Sequence, residues 1–259
     1  MRLHPKDVVA LSMLAAVTGT MIARNGMGFA HGTLVLLPFA FAFLAYLLRG
    51  VDIGGAIAGL FVAMVFLSAG GPQYFFLLLM IFMITFAATR AGRQQKARLG
   101  IAESTTGRNA GQVTANLLVA TLLLAFSGAL QARFTQALVL ATLAELVADT
   151  VSSEVGEAFG GRPINIRTFN RTAPGANGGI TLLGSLAGAV GAMAVVGAAY
   201  GLNILPVNAT ASIVVAAILA MFFDSLLGAT LEDWGWIGND TVNLLSTIAA
   251  AGCCAALIL

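Results

Sequence analysis

The sequence contains very few charged residues. Only 9% of its 259 residues are Asp, Glu, Lys or Arg, whereas 59% are hydrophobic and the mean hydropathy is +0.93. A soluble globule of this length needs much more polar surface to face water. The formal net charge of +2 is also too small to predict a nucleic-acid partner. The composition therefore excludes a soluble protein and favours an integral membrane protein.

Histidine and cysteine are also scarce. The only histidines are His4 and His31, which argues against a His-rich zinc site and against a nucleophilic triad built on histidine. The two cysteines, Cys253 and Cys254, are adjacent in an apolar run, where neighbouring side chains of a helix point to different sides and rarely form a disulfide. We expect both thiols to be inert packing groups.

Long apolar runs fill most of the chain. Since about 20 apolar residues cross a bilayer, the sequence has room for roughly eight to ten spans and for no separate soluble domain. We predict an all-α, polytopic transmembrane helical bundle that forms one integral membrane domain over residues 1–259. The first run resembles a signal peptide, but we interpret it as a retained span because no convincing cleavage site follows. About nine spans are predicted, at residues 8–23, 33–48, 53–70, 73–89, 112–131, 135–153, 179–200, 210–230 and 241–259.

The basic residues predict the orientation of these spans. If the N-terminus is cytoplasmic, only Arg24 and Arg133 lie on the outer side, and this asymmetry favours an N-in, C-out topology in a membrane of the bacterial inner-membrane type. The cytoplasmic connections then carry Arg2, Lys6, Arg49, Arg90, Arg93, Lys96, Arg98, Arg108, Arg162, Arg167 and Arg171. Small residues at helix-neighbour spacing predict close packing within the bundle, at Gly55 and Gly59 and at Gly184, Gly188 and Ala192.

Acidic side chains occur inside or beside several spans, where burial makes them costly. At the end of the sixth span, Glu145, Asp149 and Ser153 share one helical stripe, while Glu154 points elsewhere on a regular helix. Asp224 lies within the apolar eighth span. It could be a binding residue, or a buried aspartate that pairs with a polar neighbour for structure alone.

A glycine-rich turn precedes the seventh span. It contains Gly175, Asn177, Gly178 and Gly179, and successive backbone N–H groups in such a turn, together with a helix N-terminus, can bind an anion. Because no Lys followed by Ser or Thr closes it, the turn is not a Walker A loop. It could equally be a tight connector. Three arginines stand just upstream, Arg162, Arg167 and Arg171.

Further polar residues flank the fifth and ninth spans. Asn239, Asp240 and Asn243 lie at the start of the ninth span, where Asp240 could also be an N-terminal cap. Near the fifth span, Gln112 and Asn116 are one turn apart and could face the same cavity as the acids. The preceding basic loop, which ends with Arg108, could join them, or could contact anionic lipid.

All these groups converge on the cytoplasmic side under the predicted topology. Carboxylates and side-chain oxygens are ligands for a hard divalent cation, and arginines bind phosphate. The sequence thus predicts a cytoplasmic site for metal and polyphosphate, with its motifs concentrated in residues 108–247.

Four segments in this order, AELVADTVSSEVG, PGANGGIT, FFDSLLGATLE and NDTVN, together with GRNAGQVTAN before them, resemble the integral-membrane family catalogued as domain of unknown function 92. This family includes transmembrane protein 19 and the phytyl-phosphate kinases of plants and cyanobacteria. The resemblance implies a membrane kinase that phosphorylates an isoprenoid or phytyl monophosphate to its diphosphate, with CTP, or else ATP, as co-substrate and Mg²⁺ as cofactor. Ala176 and Glu232 depart from the family pattern, in which Thr and Gln are common at these positions.

Roles follow for the residues already named. We expect Asp149, Glu154 and Asp224 to bind magnesium with help from Asp240 and Asn177, and the arginines and the Gly178–Gly179 turn to bind the triphosphate. The prenyl tail would lie between helices, open to lipid. Two alternatives remain: a related CTP-using lipid enzyme, either a polyprenol kinase or a CDP-lipid cytidylyltransferase, and a cation-coupled transporter. The sequence does not specify an oligomeric state.

Overall fold

The computed structural model describes residues 5–25, 32–101, 107–127 and 131–259. Apart from two strands of two residues each, the regular structure in these ranges is helical. The described residues contain ten α-helices: α1 (Pro5–Asn25), α2 (Gly32–Leu47), α3 (Ile53–Ala69), α4 (Pro72–Ala91), α5 (Arg93–Leu99), α6 (Ala110–Ala125), α7 (Ala132–Phe159), α8 (Leu182–Gly201), α9 (Thr210–Leu227) and α10 (Asn239–Ile258).

Several of these helices are long and apolar enough to cross a membrane. Within the described residues there are five, covering Pro72–Ala91, Ala132–Phe159, Leu182–Gly201, Val207–Glu232 and Asn239–Ile258, and three shorter apolar helices accompany them. The predicted polytopic membrane bundle of helices is therefore confirmed. The count of nine spans and their orientation stay predictions.

The chain forms two compact units, although the sequence predicts a single domain. One consists of Met1–Leu79 and Glu103–Thr135, and the other of Met80–Ala102 and Gln136–Leu259. Each unit is built from two separate stretches of chain. Because the chain passes between the units more than once, no single linker in the sequence marks their boundary. The prediction of one domain stays a prediction.

In the first unit, α3 packs against α1, α2 and α6. The start of α6 is fixed by a capping box, in which the Asn109 side chain accepts a hydrogen bond from the Gln112 backbone and the Gln112 side chain accepts one from the Asn109 backbone. Asp7 of α1 adds a further bond, because its Oδ1 accepts from the Gly111 N–H at 3.2 Å. Gly55 lies directly against the Arg108 carbonyl, as close packing predicts, but Gly59 has open space around it.

In the second unit, the small residues of α8 lie against α7. A Cβ atom added at Gly184 would stand 2.6 Å from the Ser152 carbonyl oxygen, and one at Gly188 would stand 2.7 Å from that of Ala148. Together with the fully buried Ala192, these contacts confirm the predicted close packing. α8 also packs on α9, and α9 packs on α10.

The two cysteines lie in the last helix, α10. Cys253 and Cys254 are both free thiols, and Cys254 is buried. Its Sγ lies 3.7 Å from the carbonyl oxygen of Ala137, so it serves as a packing group between α10 and α7.

Candidate functional site

Three carboxyl groups from two helices of the second unit lie close to one another. Glu145 and Asp149 are one turn apart on α7, and Asp224 comes from the last turn of α9. Glu145 interacts electrostatically with both aspartates, and Asp224 interacts with Asp149. Glu145 is only 1% exposed, whereas Asp149 and Asp224 are half-buried. The structure thus brings together Glu145, Asp149 and Asp224, which we call the carboxyl cluster.

A serine that the sequence analysis did not single out completes this cluster. The Ser246 hydroxyl of α10 faces the carboxyl groups of both Glu145 and Asp224. Ser246 is 1% exposed, and its Oγ also donates to the Asn243 carbonyl at 2.9 Å. The sequence contains one indication of this role, because Ser246 follows the predicted site residue Asn243 by about one helical turn. Ser246 therefore brings α10 into contact with the same acids.

One oxygen of the carboxyl cluster is unsatisfied. Asp224 Oδ2 is buried and has no hydrogen-bond partner among the described residues, which normally costs free energy in a folded protein. In the same ranges of the chain, no three His, Cys, Asp or Glu side chains form a group that could hold a metal ion. Magnesium bound together with a triphosphate commonly uses only one or two protein carboxylates, the other ligands being phosphate oxygens and water. Asp149 and the open oxygen of Asp224 fit that donor set.

The sequence predicts Glu154 as a metal ligand, but in the structure its partner is a lysine. It is buried on α7 and forms an ion pair with Lys96 of α5, which is itself 1% exposed. Lys96 also lies 3.9 Å from Glu157 Oε2. The reason is geometric: α7 is a continuous helix through Glu154, so this side chain points away from the stripe of Glu145 and Asp149. Because a buried lysine already neutralises it, we leave Glu154 out of the magnesium site proposed below, and its role as a metal ligand stays a prediction.

The segment that carries Lys96 connects two parts of the site. Gly92 packs directly against Ala158 near the end of α7. After α5, a Cβ atom added at Gly175 would stand 2.9 Å from the side chain of Ile101. The short helix α5 is therefore a structural element between the end of α7 and the glycine-rich turn, a role that its basic composition did not reveal.

The glycine-rich turn is held in a small hairpin. Strand β1 (Ile164–Asn165) pairs antiparallel with strand β2 (Gly179–Ile180), and Gly175 and Gly178 have positive φ angles of 77° and 69°. In the described part of the chain, the hydrogen bonds within the turn use the N–H groups of Ala176 and Gly179 and leave those of Gly175, Asn177 and Gly178 without a backbone acceptor. N–H groups without an acceptor in one turn are candidates for binding an anion.

The glycine-rich turn does not run directly into a helix. Strand β2 intervenes, and α8 starts after Thr181, whose side chain accepts a hydrogen bond from the Gly184 N–H at 3.0 Å. This hydroxyl satisfies one of the N–H groups at the start of α8, and strand β2 separates that helix end from the turn.

The turn lies against the end of α9. A Cβ atom added at Gly178 would overlap the side chain of Ala229, and one at Gly228 would stand 3.3 Å from the Gly178 nitrogen. Gly228 begins a π-helical turn, Gly228–Glu232, and such turns are frequent at functional sites. The Asp224 carboxyl precedes this turn by four residues, so the carboxyl cluster and the glycine-rich turn adjoin the same end of α9.

The three arginines lie at exposed positions in the segment that carries the turn. Arg162 precedes β1, and Arg171 forms a backbone bridge with Ile164. The guanidinium carbon of Arg167 lies 5.8 Å from the ring centroid of Trp234, which is within the range of a cation–π contact. The structure thus gives Arg167 an aromatic partner that the sequence analysis did not identify.

The start of α10 differs from the predicted cap. Gly238 is the N-cap, with no side-chain hydrogen bond, and Asp240 lies in the first turn, where an acid stabilises the helix dipole. Asn239 is the exposed first residue, and Asn243 is half-buried one turn later. On α7, Ser153 is exposed and lies outside the buried carboxyl cluster.

The remaining predicted residues belong to the first unit and have structural partners there. Arg108 forms a parallel backbone bridge with Val51. Gln112 is committed to the capping box of α6, and Asn116 Nδ2 donates to the Gln112 carbonyl at 2.8 Å. We therefore assign Gln112 and Asn116 to the stability of α6.

Comparisons with known proteins agree with this membrane architecture. Residues 36–251 match the family described as "Integral membrane protein DUF92". The chain is 30% identical to an uncharacterized membrane protein of Synechocystis over 71% of its own length and 73% of that protein. It is 32% identical to Protein VTE6, chloroplastic, of Arabidopsis thaliana over 77% of its length and 63% of the plant protein.

An archaeal relative extends the range of these matches. An uncharacterized membrane protein of Methanocaldococcus jannaschii is 32% identical over 77% of this chain and 82% of its own length. No solved structure matches the chain. Since the family match covers most of the sequence, the chain belongs to the DUF92 family of integral membrane proteins.

Proposed function

We propose that the protein is a membrane-embedded kinase that converts an isoprenoid or phytyl monophosphate to its diphosphate, with CTP as the phosphoryl donor. The observation that carries this proposal is the meeting of the carboxyl cluster and the glycine-rich turn at one end of α9. Phosphoryl transfer depends mainly on positioning and charge neutralisation, and these two features serve those purposes. The family resemblance supplies the substrate class.

The reaction needs no strong protein base. An oxygen of the lipid monophosphate attacks the γ-phosphorus of the nucleotide, the bond from that phosphorus to the β-bridging oxygen breaks, and the nucleoside diphosphate leaves. A phosphate monoester has a second pKa of about 6 and is largely dianionic near neutral pH, so no proton has to be removed from it. The lack of a histidine in the described site is compatible with this chemistry.

Asp149 and Asp224 would hold magnesium, which neutralises charge on the transferred group. The free N–H groups of Gly175, Asn177 and Gly178 would bind the polyphosphate, together with Arg162, Arg167 and Arg171. Glu145 and Ser246 would orient the aspartates from the buried side. Asn239, Asp240 and Asn243 stay candidates for contacts with the nucleotide. Nine spans with a cytoplasmic N-terminus would put this site on the cytoplasmic side.

A labelling experiment separates this reaction from its closest alternative. Purified protein in detergent, with magnesium and a panel of prenyl alcohols and prenyl phosphates, is given CTP labelled at either the α- or the γ-phosphorus. A kinase moves only the γ label to the lipid, whereas a cytidylyltransferase moves the α label and releases pyrophosphate. Folded protein that labels no lipid from CTP or ATP would refute the proposal.

The panel of acceptors also distinguishes the kinases. Labelling of alcohols but not of monophosphates would identify a polyprenol kinase. A cation-coupled transporter would label neither and would instead move ions in proteoliposomes. The carboxyl cluster argues against a transport path, because α7 carries no acid before Glu145 and α9 carries none before Asp224.

A further inference from the structure

Two exposed tryptophans follow directly after the π-helical turn. Trp234 is 51% exposed and Trp236 is 72% exposed. Their ring centroids are 5.3 Å apart, and the ring planes meet at 61°. A tryptophan that serves only for packing usually buries most of its ring, whereas these two leave half or more of their surface uncovered. We therefore expect a ligand or lipid to cover the two rings.

The loop holds these rings in defined positions. The Trp234 N–H donates to the Thr230 carbonyl at 2.9 Å, and the Trp236 N–H donates to the Leu231 carbonyl at 3.0 Å. Both acceptors belong to the π-helical turn that packs against Gly178. The tryptophans are thus tied through a few backbone bonds to the element that contacts the glycine-rich turn.

Arg167 connects the pair to the arginine segment. Its guanidinium lies over Trp234, and the turn that carries it is ordered by Asn165, whose Oδ1 accepts from the N–H groups of Arg167 at 3.0 Å and Thr168 at 3.1 Å. An arginine beside exposed aromatic rings is a combination that stacks a nucleobase, because the rings offer a π face and the guanidinium adds a cationic one.

We propose that Trp236, with Trp234 and Arg167, forms the platform on which the base of the nucleoside triphosphate stacks. This inference rests on the proposed kinase function and extends it, since it assigns the base to the tryptophan pair and the phosphates to the glycine-rich turn. The uncovered ring of Trp236 provides the stacking face. Arg167 holds Trp234 in place through its cation–π contact and adds a positive charge beside the base.

The two tryptophans are the only ones in the sequence, so intrinsic fluorescence reports on this site alone. Purified full-length protein in detergent is titrated with CTP, cytidine and inorganic tripolyphosphate, with excitation at the red edge of indole absorption. We expect saturable quenching by CTP and weaker quenching by cytidine. Equal quenching by tripolyphosphate and CTP would contradict base stacking.

Substitutions separate stacking from other roles of the ring. Trp236→Leu removes the aromatic face, and we expect it to raise the KM for CTP about 5- to 160-fold, the range set by the loss of one base–aromatic stack, with kcat little changed. Trp236→Phe keeps an aromatic face and should recover most of the affinity. A KM unchanged by Trp236→Leu would refute this inference and leave the kinase function standing.

A lipid environment is the other way to cover these rings, since tryptophan is common at membrane interfaces. In vesicles containing a bromine-labelled lipid, quenching by the lipid with no effect of CTP would assign the pair to the interface and overturn the proposal. If CTP quenches the fluorescence but no phosphoryl group is transferred, the nucleotide site stands and the kinase function fails. The two hypotheses can therefore fail separately.

Discussion

Gly178 lies so close to Ala229 that a single methyl group added to Gly178 would overlap the alanine side chain. This contact holds the glycine-rich turn against the π-helical turn at the end of α9. Gly178 also has a positive φ of 69°, a backbone angle that residues other than glycine adopt at a cost of roughly 1–2 kcal/mol.

Gly178→Ala should therefore impair both folding and activity. The strain and the overlap act together, and overlap in a packed region costs a further 1–3 kcal/mol or so. The matched control is Gly161→Ala, because Gly161 has a φ of 75° but nothing within 4 Å of an added Cβ. Thermal unfolding in detergent should show a clearly larger loss of stability for Gly178→Ala. Equal losses would mean that the contact with Ala229 is unimportant.

Neutralising the aspartates of the carboxyl cluster should remove the response to magnesium. Asp149→Asn and Asp224→Asn are each expected to lower kcat by about 100-fold or more, since charge stabilisation of the transferred group is lost. Magnesium and CTP together should raise the Tm of the native protein, because ligand binding stabilises the folded state. We expect neither variant to show this rise.

The exposed Asp233 provides a control for that experiment. Asp233→Asn removes the same charge outside the carboxyl cluster and should leave the magnesium response in place. If Asp149→Asn kept full turnover in the same assay, the metal assignment would be wrong whatever the function of the protein.

The ion pair of Lys96 with Glu154 should matter for stability and not for metal binding. Breaking a buried pair by removing one partner costs about 3–5 kcal/mol, because the other charge is left uncompensated. We expect Lys96→Met and Glu154→Gln each to lower the Tm, and the double variant to be less destabilised than the sum of the two. A Glu154→Gln variant that lost the magnesium response while Lys96→Met kept it would restore Glu154 as a metal ligand.

Ser246→Ala tests the support of the carboxyl cluster. It removes the hydroxyl that faces Glu145 and Asp224, so we expect a fall in kcat and a weaker magnesium response. Thr247→Val is the matched control, since Thr247 is also fully buried on α10 and its hydroxyl bonds a backbone carbonyl, that of Leu244, at 2.8 Å. Similar kinetics for the two variants would show that Ser246 has only a packing role.

Gln112 distinguishes a capping residue from a binding residue. Gln112→Glu keeps the capping box, whereas Gln112→Leu breaks it and should cost roughly 1 kcal/mol of stability. Both variants should leave the KM for CTP unchanged. A rise in that KM for Gln112→Leu, without a loss of stability, would return Gln112 to the nucleotide site.

The sequence predicts the helices well because an apolar run of sufficient length has few other folds available in a bilayer. It also predicts Asp149 and Asp224 as site residues, since a carboxyl group within an apolar span is costly to bury and therefore indicates a function or a partner. Partners distant in sequence are different: Lys96 and Glu154 are 58 residues apart, and no pattern in either segment indicates the pairing.

Short irregular elements cannot be predicted from sequence patterns in this way. Strands β1 and β2 have two residues each, too few for a periodic pattern. The spacing of Asn109 and Gln112 fits a capping box, but Gln112 together with Asn116 also predicts residues that face a cavity. Local spacing alone could not decide between those uses, because the choice depends on which neighbours the fold provides.

The π-helical turn Gly228–Glu232 also sets the direction in which the chain leaves the end of α9. An α-helix turns by about 100° per residue, and a π turn accommodates one residue more than the α-helix would. We expect deletion of one residue between Gly228 and Glu232 to rotate the end of the helix and to move the two tryptophans away from Arg167. The spacing from Asp224 to Trp234 is thus a constraint in its own right, one that an insertion or deletion would break even if every named side chain were kept.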